Sequence, residues 1–162
     1  MSFTAGYKYW FNPTPEQAHL LRRTFGCVRV VYNRALAERE AGWRDSATRI
    51  SFAKMSKCLP AWKKEWPWLA EVSAVPVQQA LRHLEAGYTR FFRGQGRKPR
   101  FKSKHGLQSA SFMKTAFRWR EGRLWLAKAA EPLAIRWSRR MPGEPTSVTV
   151  SCDPAGRWFV AF

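Results

Sequence analysis

Leu21, Phe25, Val28, Tyr32 and Leu36 recur at spacings of four, three, four and four. An α-helix turns once every 3.6 residues, so this interval lines them up as one apolar stripe. The start of the helix is also legible. Thr14 offers a side-chain oxygen to the free N–H groups of a first turn, Pro15 takes the first helical position, and Gln17 completes a capping box. The stripe carries the helix to about Gly42, roughly 26 residues or about 40 Å at 1.5 Å per residue. Ahead of it, Tyr7 to Phe11 reads as a strand, stopped by Asn12-Pro13.

Ser46 to Ser51 is a polar break. Phe52, Met55 and Leu59 then predict a second helix, which Pro60 should kink or split because proline lacks an N–H and crowds the preceding turn. Trp66-Pro67-Trp68 marks a turn. Ser73 caps a third helix, in which Val77, Leu81, Leu84, Tyr88 and Phe91 again fall at helical spacing before Gly94 stops it. Beyond Gly106 the period changes from 3.6 to 2. Arg118 to Arg120 and Arg123 to Leu126 flank Glu121-Gly122 as a two-residue hairpin, and Ile135 to Ser138 is a further short segment. Val148, Val150 and Cys152 alternate with polar neighbours; Pro154-Ala155-Gly156 turns the chain, and Trp158, Val160 and Phe162 answer on the return. Tyr7, Tyr9 and Phe11 can be buried only if the early strand joins this later sheet. The expected class is α+β: one strand, a helical insertion, then a meander of strands.

Charge changes the picture. The chain holds 29 Lys+Arg against 11 Asp+Glu, a net +18 over 162 residues. Such a surplus points to a polyanionic partner, because each cation set on a phosphate releases condensed counterions. A hydrophobic content of 45% and an aromatic content of 15% exclude a disordered basic tail. No apolar run approaches the roughly 20 residues of a membrane-spanning helix, and the opening MSFTAGYKYWFNPTPEQ lacks a secretory pattern. Cys27, Cys58 and Cys152 are odd in number and far apart, which fits a reducing compartment rather than a disulfide frame or a zinc site. His19, His83 and His105 have no ligand partners at metal-binding spacing. The acids are scattered, whereas two-metal strand cleavage needs carboxylates that hold ions about 4 Å apart. No catalytic residue, metal or cofactor is expected.

The segments YWFNPTPEQAHLLRRTFGCVRVVYNRALAERE, KKEWPWLAEVSAVPVQQALRHLEAGYTRFFRG, RKPRFKSK and SVTVSCDPAGRWFVAF, in that order, resemble the OrfB/TnpB family of bacterial insertion-sequence proteins. The family is related to type V CRISPR effectors. The resemblance implies an antiparallel, β-barrel-like wedge region carrying an inserted helical subdomain of about three helices. On that plan residues 1–12 are the first wedge strand and 13–94 the helical insertion, older descriptions of which call it a helix-turn-helix. Residues 95–109 are then a basic loop and 110–162 the rest of the wedge. Full-length members are transposase-class proteins understood as RNA-guided DNA nucleases. The expectation is a truncated member in the bacterial cytoplasm, lacking the nuclease domain and binding DNA, a transposon-end RNA, or both. The alternatives are a nuclease-free RNA-guided repressor and one half of a split nuclease whose catalytic half is separately encoded.

Candidate contact residues follow from both lines. Arg22 and Arg29 lie at the margin of the first-helix stripe and suit a phosphate-tracking edge, or simply a solvated face. Asn33 falls on the same edge, and an amide beside a buried Tyr32 can equally pin backbone in the core. Arg93, Arg97, Lys98, Arg100, Lys102 and Lys104 form an acid-free cationic run broken by Gly and Pro, as a loop following a phosphate backbone would. On the third helix Gln78 and Arg82 share a polar stripe, and these residue types bond adenine and guanine edges in a major groove. By resemblance Gln78 matches a position near the DNA motif beside the target; Phe52, Ser56, Lys114 and Thr115 match or lie close to such positions. Trp119, Trp125, Trp137 and Trp158 stand between basic residues, where stacking on bases competes with an ordinary core role.

Overall fold

The computed structural model describes residues 6–162, so the first five positions of the expected opening strand region lie outside the described residues. The elements in chain order are β1 (Lys8–Asn12), α1 (Pro15–Ser46), α2 (Phe52–Glu65), a 3-10 turn at Pro67–Glu71, α3 (Ala74–Phe92), β2 (Gln108–Met113), a short 3-10 turn at Lys114–Ala116, β3 (Phe117–Arg120), β4 (Arg123–Leu126), β5 (Ala134–Arg136), β6 (Ser147–Cys152) and β7 (Trp158–Ala161). The chain is α+β. Five strands form one antiparallel sheet in the order β2-β6-β7-β1-β5, and β3 pairs with β4 as a separate hairpin. Among the described residues the sheets do not close into a barrel; β2 and β5 are the edges.

β1 enters the sheet between β7 and β5, which buries Tyr9 and Phe11 against the later strands, as the alternation requires. Phe162 prolongs this pairing: its N–H donates to the Tyr7 carbonyl at 2.8 Å. One continuous core joins Leu21, Phe25, Val28, Val31 and Leu36 of α1 to Val77, Leu81 and Leu84 of α3 and to Val148, Val150 and Val160 of the sheet. The capping box at Thr14 forms in full. Gln17 also donates from Nε2 to the carbonyls of Glu131 and Pro132, which ties the start of α1 to the segment before β5.

Three expectations are corrected. α1 does not stop near Gly42 but runs 32 residues to Ser46 and ends at Ala47 in the left-handed region, φ 51°. Gly42 serves packing: a Cβ there would stand 2.7 Å from Ile50 Cδ1, so its absence lets the returning chain bury Ile50 against the helix. α2 is not split at Pro60. Met55, Leu59 and Trp62 bury one face, and the exposed proline merely leaves one hydrogen bond of the ladder unmade. The strand Gln108–Met113 begins inside the expected basic loop. Its small Ser and Ala residues mute the alternation in which Ala110 and Phe112 point inward. The Glu121-Gly122 hairpin is as expected, with φ of 52° and 73° at the two turn residues, the geometry that matches strand twist.

Candidate nucleic-acid interface

The run 93–107 is laid along the helices as an ordered strap. Gly94, at φ 71°, turns the chain out of α3. Pro99 then packs on α3 at Gly87, where an added Cβ would lie 3.2 Å from Pro99 Cγ. Lys98 pairs with Glu40 of α1 at 3.2 Å. Two turns nearer the start of α1, Asn33 donates to the Lys102 carbonyl at 3.0 Å and accepts from the Lys102 N–H at 2.7 Å. At the end of the strap Gln108 donates to the carbonyls of Ser103 and Gly106, and its Oε1 accepts from Arg29 at 2.8 Å. The segment therefore runs antiparallel to α1, from Glu40 down to Arg29.

That course sorts the six cations of the run. Lys98 is neutralised by Glu40, a partner that the absence of acids within the run itself had concealed. Lys102 sets its ammonium 4.5 Å over the Tyr32 ring, and burial of that group pulls its pKa down. Arg93, Arg97, Arg100 and Lys104 are exposed and form no ion pair among the described residues. Lys104 lies with Arg22 and Arg29 around a cleft of about 360 Å³ between α1 and the β6–β7 turn. Arg22 also stacks 5.5 Å over the Trp158 ring. The structure thus brings Arg22, Arg29 and Lys104 together. Six of the eleven acids, Glu71, Glu65, Glu85, Asp45, Glu40 and Asp153, each hold an Arg or Lys.

A second cluster forms between α2 and α3. Arg82 stacks 4.9 Å over the Phe52 ring, and both line a groove of about 370 Å³ with Glu85, Thr89 and Arg90. Ser56 follows Phe52 by one turn of α2 and is half-buried; Gln78 precedes Arg82 by one turn of α3 and is exposed. Lys114 and Thr115 are exposed on the turn after β2, roughly 17 Å along that strand from Gln108 at about 3.4 Å per residue. They belong to neither cluster.

The tryptophans between basic strand residues are largely structural. Trp158 is buried between Phe11 and Phe25, and Trp119 and Trp125 are half-buried; Trp137 is exposed but packs on Tyr9 and Phe162. The two most exposed are Trp10, at 53%, and Trp43, at 62%. Both carry a signal in the sequence. Trp10 sits in the outward phase of β1, and Trp43 continues the α1 stripe seven residues past Leu36, beyond the last buried position. Among the described residues no three His, Cys, Asp or Glu side chains gather as a metal site, and no helix is long and apolar enough to cross a membrane.

The fold defines an α+β class in which a helical insertion rides on an antiparallel sheet and a basic strap fastens the two. The chain belongs to the OrfB/TnpB family of insertion-sequence proteins. Residues 1–46 match a family profile described as a helix-turn-helix domain. Over the described part of that stretch, the structure has one strand and a single uninterrupted helix. A Streptomyces pristinaespiralis protein named "Putative RNA-guided DNA endonuclease" is 54% identical over 160 residues, 96% of this chain and 40% of the relative. An Escherichia coli K12 protein of the same description, InsQ, is 33% identical over 96% of this chain and 39% of its own length. The chain thus spans about two fifths of these two relatives. The virulence protein VsdF of Salmonella dublin is 32% identical over 110 residues, 61% of this chain and 92% of that protein.

Proposed function

We propose that these 162 residues are the nucleic-acid-holding part of an insertion-sequence protein, gripping RNA, DNA or both through the strap and the α1 margin. The observation that carries this is the cleft at which Arg22, Arg29 and Lys104 meet, continued by the unpaired Arg93, Arg97 and Arg100. A basic surface on a fixed backbone suits a regular polyanion, since its cations need not be ordered on binding. On this reading the α2–α3 groove takes the more selective contacts: Phe52, Ser56, Gln78 and Arg82 present an aromatic face, a hydroxyl, an amide and a guanidinium. Lys114 and Thr115 add a phosphate contact at the far end of β2. RNA-guided DNA cleavage, the activity in the names of two relatives, is proposed for this chain only as the process that its grip would serve. A cytoplasmic, nucleoid-associated location follows from such partners.

The test is fluorescence anisotropy with a labelled RNA and a labelled DNA duplex over a salt series. Binding should weaken steeply with salt. Each of Arg22→Ala, Arg29→Ala and Lys104→Ala should reduce the slope of log K by about 0.9 on duplex or about 0.7 on single strands. Absence of binding at low salt, or slopes unmoved by all three substitutions, would overturn the proposal.

A further inference from the structure

At the far end of the helical insertion from the Arg22 cleft, the last turns of α1 and α3 and the α1–α2 connection enclose a cleft of about 490 Å³. That lies within the roughly 300–1,000 Å³ of small-ligand sites. Its wall is a continuous ladder of flat groups. The Arg39 guanidinium lies 4.3 Å over the Tyr88 ring; Tyr88 stacks on Phe92 at 5.9 Å and 21°; Arg49 lies 4.0 Å over the other end of the ladder at Phe92. Phe91 meets Phe92 edge to face at 5.4 Å. Across the cleft Trp43 is 62% exposed, and Phe92 is 54% exposed. The strap reaches this surface through Lys98, and the α2–α3 groove shares none of its lining.

We infer that this cleft takes an unpaired base of a single-stranded nucleic acid, stacked against the ladder or on Trp43 with its phosphate on the surrounding cations. Arg39, Arg44, Arg49 and Lys98 line the cleft against one lining acid, Glu40. Of these cations, Arg49 has no acid partner among the described residues, while Arg39, Arg44 and Lys98 are paired with Glu85, Asp45 and Glu40. The centre of a protein–protein interface is depleted of charge. Here a ring of cations borders the most exposed aromatic faces of the helical insertion, and the ligand that satisfies both is anionic and carries flat π-systems. A duplex is a poor fit, because its bases are already stacked and only an extruded or unpaired one can enter. RNA and single-stranded DNA share this chemistry.

The inference rests on the proposal that the chain holds nucleic acid, and the experiment separates the two. Twelve-nucleotide RNA and DNA single strands, each with one photoreactive thiopyrimidine, are crosslinked to the whole chain beside a duplex control, and the adducts are mapped by mass spectrometry. Adducts are expected on the peptides holding Trp43 or Phe91-Phe92 with single strands and not with duplex; comparing the two strands tells which is preferred. Trp43→Ala and Phe92→Ala should each weaken single-strand binding about 5- to 100-fold while leaving duplex binding within twofold. Arg49→Gln, at an exposed position, should lose affinity in the same sense and serves if an aromatic variant misfolds. Single-strand binding with adducts only along the strap and no effect of the three variants would overturn the cleft while leaving the strap proposal standing. Self-association that is abolished by Trp43→Ala would also overturn it, since the cleft would then be the seat of a second copy.

Discussion

The side-chain amide of Asn33 and the backbone amide of Lys102 form a reciprocal pair, with one hydrogen bond in each direction. An α1 residue thereby fixes the middle of the strap, with Pro99 on Gly87 above it and Gln108 on Arg29 below. Asn33→Ala should remove both bonds, lower stability by about 1–2 kcal/mol, and speed amide exchange at Lys102. Nucleic-acid affinity should fall severalfold with the salt slope retained, because the cations remain and only their ordering is lost. Unchanged exchange at Lys102 would show that the strap is held by other contacts.

The cations of the run should not be equivalent. Lys98 faces Glu40, so Lys98→Ala should change the salt slope less than Arg97→Ala or Arg100→Ala, which remove charges free of acid partners. Glu40→Gln should do the reverse of an alanine in the strap: releasing Lys98 should steepen the slope, by up to about 0.9 on duplex. Anisotropy titrations across a salt series check all four, and equal slopes for the three cation substitutions would refute the sorting.

His83 supplies a pH prediction. Burial, reinforced by the nearby positive charges of Lys102 and Arg90, holds its imidazole below the ordinary value of about 6.5. The unfolded chain then takes up this proton at a higher pH than the folded chain does. The stability that His83 contributes is therefore present above about 6.5 and is lost as the pH falls toward the lower folded value. Denaturant melts between pH 7.5 and 5 should show stability declining on acidification, and His83→Gln should flatten that decline. Arg90→Gln should raise the His83 midpoint seen by chemical-shift titration. A midpoint at or above 6.5 in the parent protein would contradict the argument.

The helices were legible because their signals are local. Thr14, Pro15 and Gln17 mark a start, and Leu21 to Leu36 repeat often enough that no other period fits. The sheet partners of β1 could be argued because Tyr9 and Phe11 require a cover that only the later strands supply. What stayed hidden depends on distant neighbours. Gly42 resembles a helix stop until Ile50 is seen folded against it, and the strap resembles a linker until Asn33, Glu40 and Gly87 are seen to hold it. Charge counting found the basic run but not its sorting, since the partner of Lys98 lies on another element. Trp43 is of the same kind: its stripe position predicts burial, and only the path of the chain after Ser46 leaves it exposed among the described residues.

Gly42 and Ile50 give a prediction in which two ordinary effects oppose each other. Alanine in a helix interior is about 1 kcal/mol better than glycine, so Gly42→Ala should stabilise α1 if nothing else changed. The added methyl, however, would lie 2.7 Å from Ile50 Cδ1 and 3.1 Å from Cγ1, close enough to force the buried Ile50 aside. Overpacking of this kind costs typically 1–3 kcal/mol. The net expectation is a loss of about 1 kcal/mol, seen as a melting temperature lower by roughly 2–4 °C for a chain of this size. Ile50→Val removes the offending methyl, so in the Gly42→Ala background it should cost less than in the parent, or even stabilise. A double-mutant cycle reads this directly. Additive losses would mean that the helix and the returning chain do not press on each other at this point.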